Sequence, residues 1–341
     1  MNRSAQAVLV LFALGLFAAY SIYKPFILPI VVAMLLAMAT TNLTRNITKY
    51  VNSKKIATAI MTLIMVVLIL APIAYIATIG INYATKFDPN SVGTILDKAK
   101  ELLKDIPYIG KLAKEYLTLE QVLPFIQESS LYIGKLGTKG LTFMKDSFMV
   151  VIFYSFIVYH QDKITLFLRN LISTSRRESM KMLDEISSTM EIVFFSIIVT
   201  AIFEGLLFGV FISFYGFNGL FFGFVYGFAS LIPVVGGLIV WLPVSLLAWS
   251  NLGSSAAITI ALYSVIVISI IADTFVKPVI IKVIKDKFLK STTNIDELLI
   301  FFSILAGMGS YGFWGMILGP AITTFVITTT KTYLEYTKRK N

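Results

Sequence analysis

The chain of 341 residues is 57% hydrophobic and only 14% charged, carries a formal charge of +10 and contains no cysteine. Soluble domains carry about 25% charged residues, so this deficit and a mean hydropathy of +0.82 mark an integral membrane protein. Long continuous apolar runs, without period-two alternation, make it all-α and exclude a barrel, and the missing cysteines exclude disulfides, thiolate metal sites and cysteine nucleophiles.

Residues 5–23 form a first expected span, retained because no small-residue cleavage site precedes Tyr23. Lys24-Pro25 is expected to break it, and residues 26–43 to form a second span. Arg45, Lys49, Lys54 and Lys55 then crowd one short loop. Residues 56–81 make a third span, kinked at Pro72, and close an N-terminal membrane segment, 1–81. From 82 to 146, nine lysines and eight acidic residues alternate with apolar positions, and Pro89, Pro107 and Pro124 punctuate the run. Ile95, Leu96, Ala99, Leu102 and Leu103 recur at spacings of three and four, so 82–146 reads as a small extracytoplasmic helical domain. A crossing from about Leu141 to Tyr159 and a basic amphipathic helix over 162–188 at the membrane surface make up 147–190.

The transport core is 191–341. Residues 205–272 hold no charged side chain yet are repeatedly interrupted: at Tyr215-Gly216-Phe217-Asn218-Gly219, at 230–237, and at Pro243. Residues 298–330 are likewise uncharged and broken by Gly307, Gly309, Gly312, Gly315 and Gly319-Pro320. One crossing takes about 20 apolar residues, and irregular backbone at membrane depth is tolerated only inside protein or along a cavity. Two full spans plus a hairpin turning at 231–237 fit the first run, and a hairpin turning near Ser310-Tyr311-Gly312 fits the second. The expected fold is therefore an all-α membrane protein with about six to eight membrane segments, re-entrant hairpins included. YGFxGxxxG occurs twice, from Tyr215 and from Tyr311, which reads either as an internal repeat or as chance in a glycine-rich chain.

The basic segments 44–55, 162–190, 277–290 and the tail should share the cytoplasmic face. Three crossings before the 82–146 domain then place both termini in the cytoplasm. The basic residues serve topology, so no nucleic acid is implied; the partners are the lipid bilayer and a small-molecule or ion substrate.

Glu204 is the one carboxylate between Glu191 and Asp273. An acid at membrane depth is costly unless it faces protein or water, so it is a candidate coupling group that releases and rebinds a proton, or else a structural acid near a helix end. Asp273 and Lys277 stand four apart and can pair on one helical face, either gating access or marking the cytoplasmic boundary. Pro233, Gly236, Gly237 and Pro243, with Gly307, Gly309, Gly312, Gly315, Gly319 and Pro320, are substrate-pathway candidates, set against the plainer reading of packing positions. His160 without a cysteine makes zinc catalysis implausible. No Walker loop, HExxH or GxSxG is present, so neither ATP, another cofactor, a metal nor an enzyme activity is expected.

These segments resemble the autoinducer-2 exporter family over essentially the whole length. The carrying stretches are FYSFIVYHQD ending at Asp162, LIPVVGGLIVWLP at 231–243, DTFVKPVI at 273–280 and GSYGFWGMILGPAI at 309–322. Glu204 departs from the glutamine expected before glycine, and 292–296 reads TTNID. The resemblance implies an inner-membrane, ATP-independent exporter of a small furanosyl signal, assembled as a homo-oligomeric ring of five. Some relatives are assigned sodium/proton antiport instead. A non-transporting envelope scaffold is the alternative of another class, and the substrate stays open between a sugar-like signal, a cation and a lipid.

Overall fold

The computed structural model describes residues 3–85, 140–171, 176–232, 235–283 and 297–340, with isolated positions between 93 and 111. Among these every regular element is helical. In chain order they are α1 (Arg3–Ala39), α2 (Thr41–Val51), α3 (Lys54–Met65), a π-helical turn (Val66–Leu70) and α4 (Ala71–Thr85). Then come α5 (Gly140–Tyr159), α6 (Gln161–Leu171), α7 (Arg176–Ser213), α8 (Gly219–Ala229) and α9 (Gly236–Leu252). The chain ends in α10 (Ser254–Tyr263), a π-helical stretch (Ser264–Val276), α11 (Lys277–Val283), α12 (Glu297–Tyr311), a short 3-10 turn (Gly312–Trp314) and α13 (Gly315–Lys340). Most of the expected 82–146 domain lies outside the described residues.

Two sequence expectations change at once. Lys24-Pro25 does not end a helix: α1 runs 37 residues through both Pro25 and Pro29, so the first two expected spans are one rod. Proline removes its own backbone bond and crowds the carbonyl four residues back, and membrane helices tolerate this where neighbours support the chain. Support begins here at Phe26, whose ring meets Phe153 edge-on at 6.3 Å. The amphipathic helix expected over 162–188 is two elements, α6 and the first turns of α7, and α7 continues unbroken past residue 190.

Among the described residues six stretches are long and apolar enough to cross a bilayer, namely Ala7–Ala39, Lys54–Gly80, Gly140–Tyr159, Leu183–Ser213, Ser254–Val279 and Leu298–Leu334. The last is not a straight rod. It doubles back at Gly312, where φ is +62°, and Gly307 then lies against Gly315 and Gly319.

The chain divides into two compact units. The first combines α1 to α3, α5, α6, the start of α7 and the α12–α13 hairpin. Hydrogen bonds fix the junction of α1 and α2. Thr40 Oγ1 and Tyr154 Oη are 2.9 Å apart, Asn42 donates to Glu191 at 2.7 Å, Gln161 donates to Thr41 at 2.7 Å and Ser187 donates to the Met38 carbonyl at 2.9 Å. Polar groups buried among apolar helices must be satisfied within the protein, so these four bonds set the register of α5, α6 and α7 on that junction.

The second unit contains α4, the rest of α7, α8 to α10, the π stretch and α11. Its core joins Phe208, Tyr226, Val244, Ile260 and Ile268. Phe208 stacks on Tyr226 at 4.5 Å between centroids, and Phe211 on Tyr263 at 3.6 Å. Helix α8 has 11 residues and α9 has 17, about 16 and 26 Å at 1.5 Å per residue. Both fall short of the roughly 30 Å hydrocarbon core, and they pack against each other, where the sequence suggests a hairpin turning at 231–237.

Candidate functional site

The site is built on the packing of α7 against α8. A Cβ on Gly205 would stand 2.6 Å from the Gly223 carbonyl oxygen, and one on Gly227 would stand 2.6 Å from that of Ala201. No side chain fits either place, so glycine lets the two backbones touch. Lipid supplies no hydrophobic drive between helices, and such close van der Waals approach is what holds membrane helices together. The turn joining them uses Gly216 at φ +78°, a conformation side chains oppose. Asn218 caps α8 by accepting from the Phe221 amide at 3.0 Å.

This packing carries Glu204, the residue before Gly205, into the interior with only 5% of its side chain exposed. Lys277 is brought to it from the first position of α11, where the π stretch ends, and its Nζ donates to Glu204 Oε1 at 3.3 Å. The Tyr263 hydroxyl donates to the Leu207 carbonyl at 3.2 Å and ties α10 to α7 one turn beyond Glu204. Glu204 is therefore not the isolated carboxylate that the sequence suggests. The partner expected for Lys277 was Asp273, whose side chain lies outside the described residues.

An ion pair with one buried and one part-exposed member has a definite chemistry. Desolvation of the carboxylate is offset by the ammonium and by further hydrogen bonding. Removing either charge takes away the partner that the other has at 3.3 Å. Protonation of Glu204, or arrival of a competing cation there, would weaken that contact. The π stretch Ser264–Val276 leads directly into Lys277, and i→i+5 segments of this kind recur at functional sites in helices.

The other sequence candidates separate by environment. Gly236 closes the break against the Ala229 carbonyl and Gly237 lies against the Tyr226 hydroxyl, while Pro233 falls outside the described residues. Pro243 does not bracket the break. It stands in mid-α9 on an exposed position, and the helix runs through it to Leu252. Gly307, Gly315, Gly319 and Pro320 are buried in the α12–α13 hairpin, whereas Gly309 and Gly312 are exposed at its tip.

The repeated YGFxGxxxG acquires a common geometry. Tyr215-Gly216 and Tyr311-Gly312 both turn a helical hairpin on a positive-φ glycine. Gly219 and Gly223 then face Gly209, as Gly315 and Gly319 face Gly307. The first motif therefore sits at the tip of α7–α8, not merely ahead of α8–α9.

Sequence reasoning missed two further acids. Glu191, taken only as a boundary, is 4% exposed and accepts from Asn42, and Glu185 accepts from Thr328 at 2.7 Å. Their only signal was a carboxylate at the edge of an apolar run, which also describes an ordinary interfacial residue.

Comparison with known proteins agrees with the fold. The family described as "AI-2E family transporter" matches residues 7–335. A "Putative transport protein" of Helicobacter pylori (strain ATCC 700392 / 26695) is 34% identical over 239 residues, which is 69% of this chain and 68% of that protein. Its counterpart in strain J99 / ATCC 700824 is 30% identical over 79% of this chain and 78% of its own length. One of the same description from Aquifex aeolicus is 22% identical over 68% and 67%.

Proposed function

The chain belongs to the AI-2E transporter family and is a multi-pass membrane protein, and from that premise we propose that it is an ATP-independent secondary transporter of the inner membrane coupled through Glu204 and Lys277. The observation that carries this reading is the 3.3 Å contact between a buried carboxylate and an ammonium drawn from two different helices. Lys277 acts as an internal cation. A proton or metal cation that takes its place on Glu204 frees α11 to move, and return of Lys277 expels that ion on the other side. Driving-ion and substrate states are then linked because both change the same pair.

The resemblance to autoinducer-2 exporters supports a small furanosyl signal as the exported solute. Cation/proton antiport is the second reading, and the same pair favours it, because an acid contested by an amine suffices to exchange a proton for a cation. Pathway residues are sought at the exposed hairpin positions, Gly309, Gly312 and the break before Gly236, in preference to the close-packed Gly307, Gly315 and Gly319. Oligomerisation, five-fold by the resemblance, is assigned to the exposed apolar face of α1 from Val8 to Tyr23.

The lysine- and arginine-rich segments 44–55, 162–190 and 277–290 and the tail face the cytoplasm in this reading. A single α1 rod then carries the N-terminal end to the opposite face, in place of the cytoplasmic N-terminus that three crossings would require. The test is flux in proteoliposomes of labelled signal molecule and of sodium, each against an imposed proton gradient. Gradient-driven movement of one, lost in Glu204→Gln, supports the proposal and selects the substrate. Wild-type flux with an unchanged pH profile in that variant overturns it.

A further inference from the structure

Helix α2 is amphipathic. On its apolar stripe Leu43 and Ile47 are half-buried and Tyr50 is 92% exposed, as suits a helix lying in the bilayer interface. The opposite stripe, Thr41, Thr44, Arg45, Thr48 and Lys49, faces a cavity of about 610 Å³ within that unit. Gln161, Asp162 and Thr165 of α6 line a second wall, and Asp184 and Ser187 of α7 a third. Pockets of a few hundred to about 1,000 Å³ suit small organic ligands.

The charges in this cavity do not cancel. Lys54 and Asp162 are consumed by a salt bridge to each other. Arg45 and Lys49 remain, one turn apart on α2, and neither makes an ion pair among the described residues; Asp184 is the one further acid in the lining. The hydroxyls of Thr41, Thr48 and Ser187 donate to backbone carbonyls, and Gln161 donates to Thr41, so the recognition falls to the two cations themselves. A guanidinium and an ammonium one turn apart at a cavity wall are the chemistry that recognises a phosphate oxyanion. The apolar remainder, including Met34, Met38 and Met180, suits the organic part of an ester.

We propose that this cavity binds a small phosphate ester, held at its oxyanion by Arg45 and Lys49. The same chemistry is presented by a soluble sugar phosphate and by an anionic lipid headgroup. The assignment is independent of coupling at Glu204, and its test involves no flux. Full-length protein in phosphatidylcholine nanodiscs is titrated with ribose 5-phosphate and with ribose, then again with phosphatidylglycerol added to the nanodisc. Ribose 5-phosphate should bind and ribose should not. Arg45→Gln and Lys49→Gln should each weaken binding by about tenfold or more, while Lys55→Gln, outside the cavity, leaves it unchanged. Competition by phosphatidylglycerol identifies the lipid headgroup as occupant, and its absence identifies the soluble ester; both outcomes keep the site. No binding to either phosphate, or equal affinity in wild type and in the two single variants, overturns it. Because Arg45 and Lys49 are exposed, their variants should elute as folded protein, and Lys49→Arg, which preserves charge, should retain binding.

Discussion

Glu204 Oε1 and Lys277 Nζ are 3.3 Å apart although 73 positions separate the two residues in the chain. The carboxylate is almost wholly buried, while the lysine side chain is 35% exposed. Lys277→Met should therefore be the more damaging single change, since it takes the ammonium at 3.3 Å from a buried carboxylate. We expect a loss of about 1–3 kcal/mol, less than for a fully buried pair because the lysine end reaches solvent. Glu204→Gln should cost less, and the double variant should regain stability over Lys277→Met while remaining uncoupled. Thermal unfolding in detergent gives the stability order. A double variant no more stable than Lys277→Met would show that the two groups do not compensate each other.

The two hairpins make matched predictions. Gly223→Ala places a methyl 2.8 Å from the Gly205 carbonyl, so α7 and α8 must separate, at a cost of about 1–3 kcal/mol. Gly315→Ala should behave alike against Gly307. Gly309→Ala meets nothing within 4 Å and removes a helical glycine, so it should be neutral or stabilising by up to about 1 kcal/mol. Equal melting temperatures for all three would refute the packing assignment.

Water access to the breaks is open to chemistry because the chain has no cysteine of its own. Single cysteines at Val235, 46% exposed beside the α8–α9 break, and at Ser310, near the α12–α13 tip, should react with small water-soluble thiol reagents in the bilayer. Leu206, 61% exposed on α7, serves as the lipid-facing control and should stay unreactive. If Val235 and Ser310 are as inert as Leu206, the breaks are packing features and not a pathway.

Topology is decided by α1. Tags at Lys54, Arg177, Lys285 and Asn341 should be shielded from external reagents in intact cells. Lys111 and a tag at the N-terminus should be labelled, because one continuous helix puts its two ends on opposite faces. Labelling of Lys285 from outside would remove the cytoplasmic assignment of the 277–290 segment. Protection of the N-terminal tag would mean that α1 does not cross.

What the sequence determined by itself is everything that depends on local composition. A charge deficit and uninterrupted apolar runs require helices in a bilayer. Glycine and proline clusters near 231–237 and 310–312 mark interruptions of the apolar runs, and the helices beside them have 11 to 17 residues, short against the roughly 20 of a full crossing. Proline misled at positions 25 and 243 because the bond it removes and the carbonyl it crowds are local costs that the surrounding helices can offset. The tertiary structure alone decided pairings between distant positions. Lys277 had an apparent partner four residues away in Asp273, and only the close approach of α7 and α8 at Gly205 and Gly223 turns Glu204 inward to meet it. The repeated YGFxGxxxG became interpretable in the same way, since a glycine's reason for being glycine lies in the backbone opposite, and no run of sequence contains both sides of a helix contact.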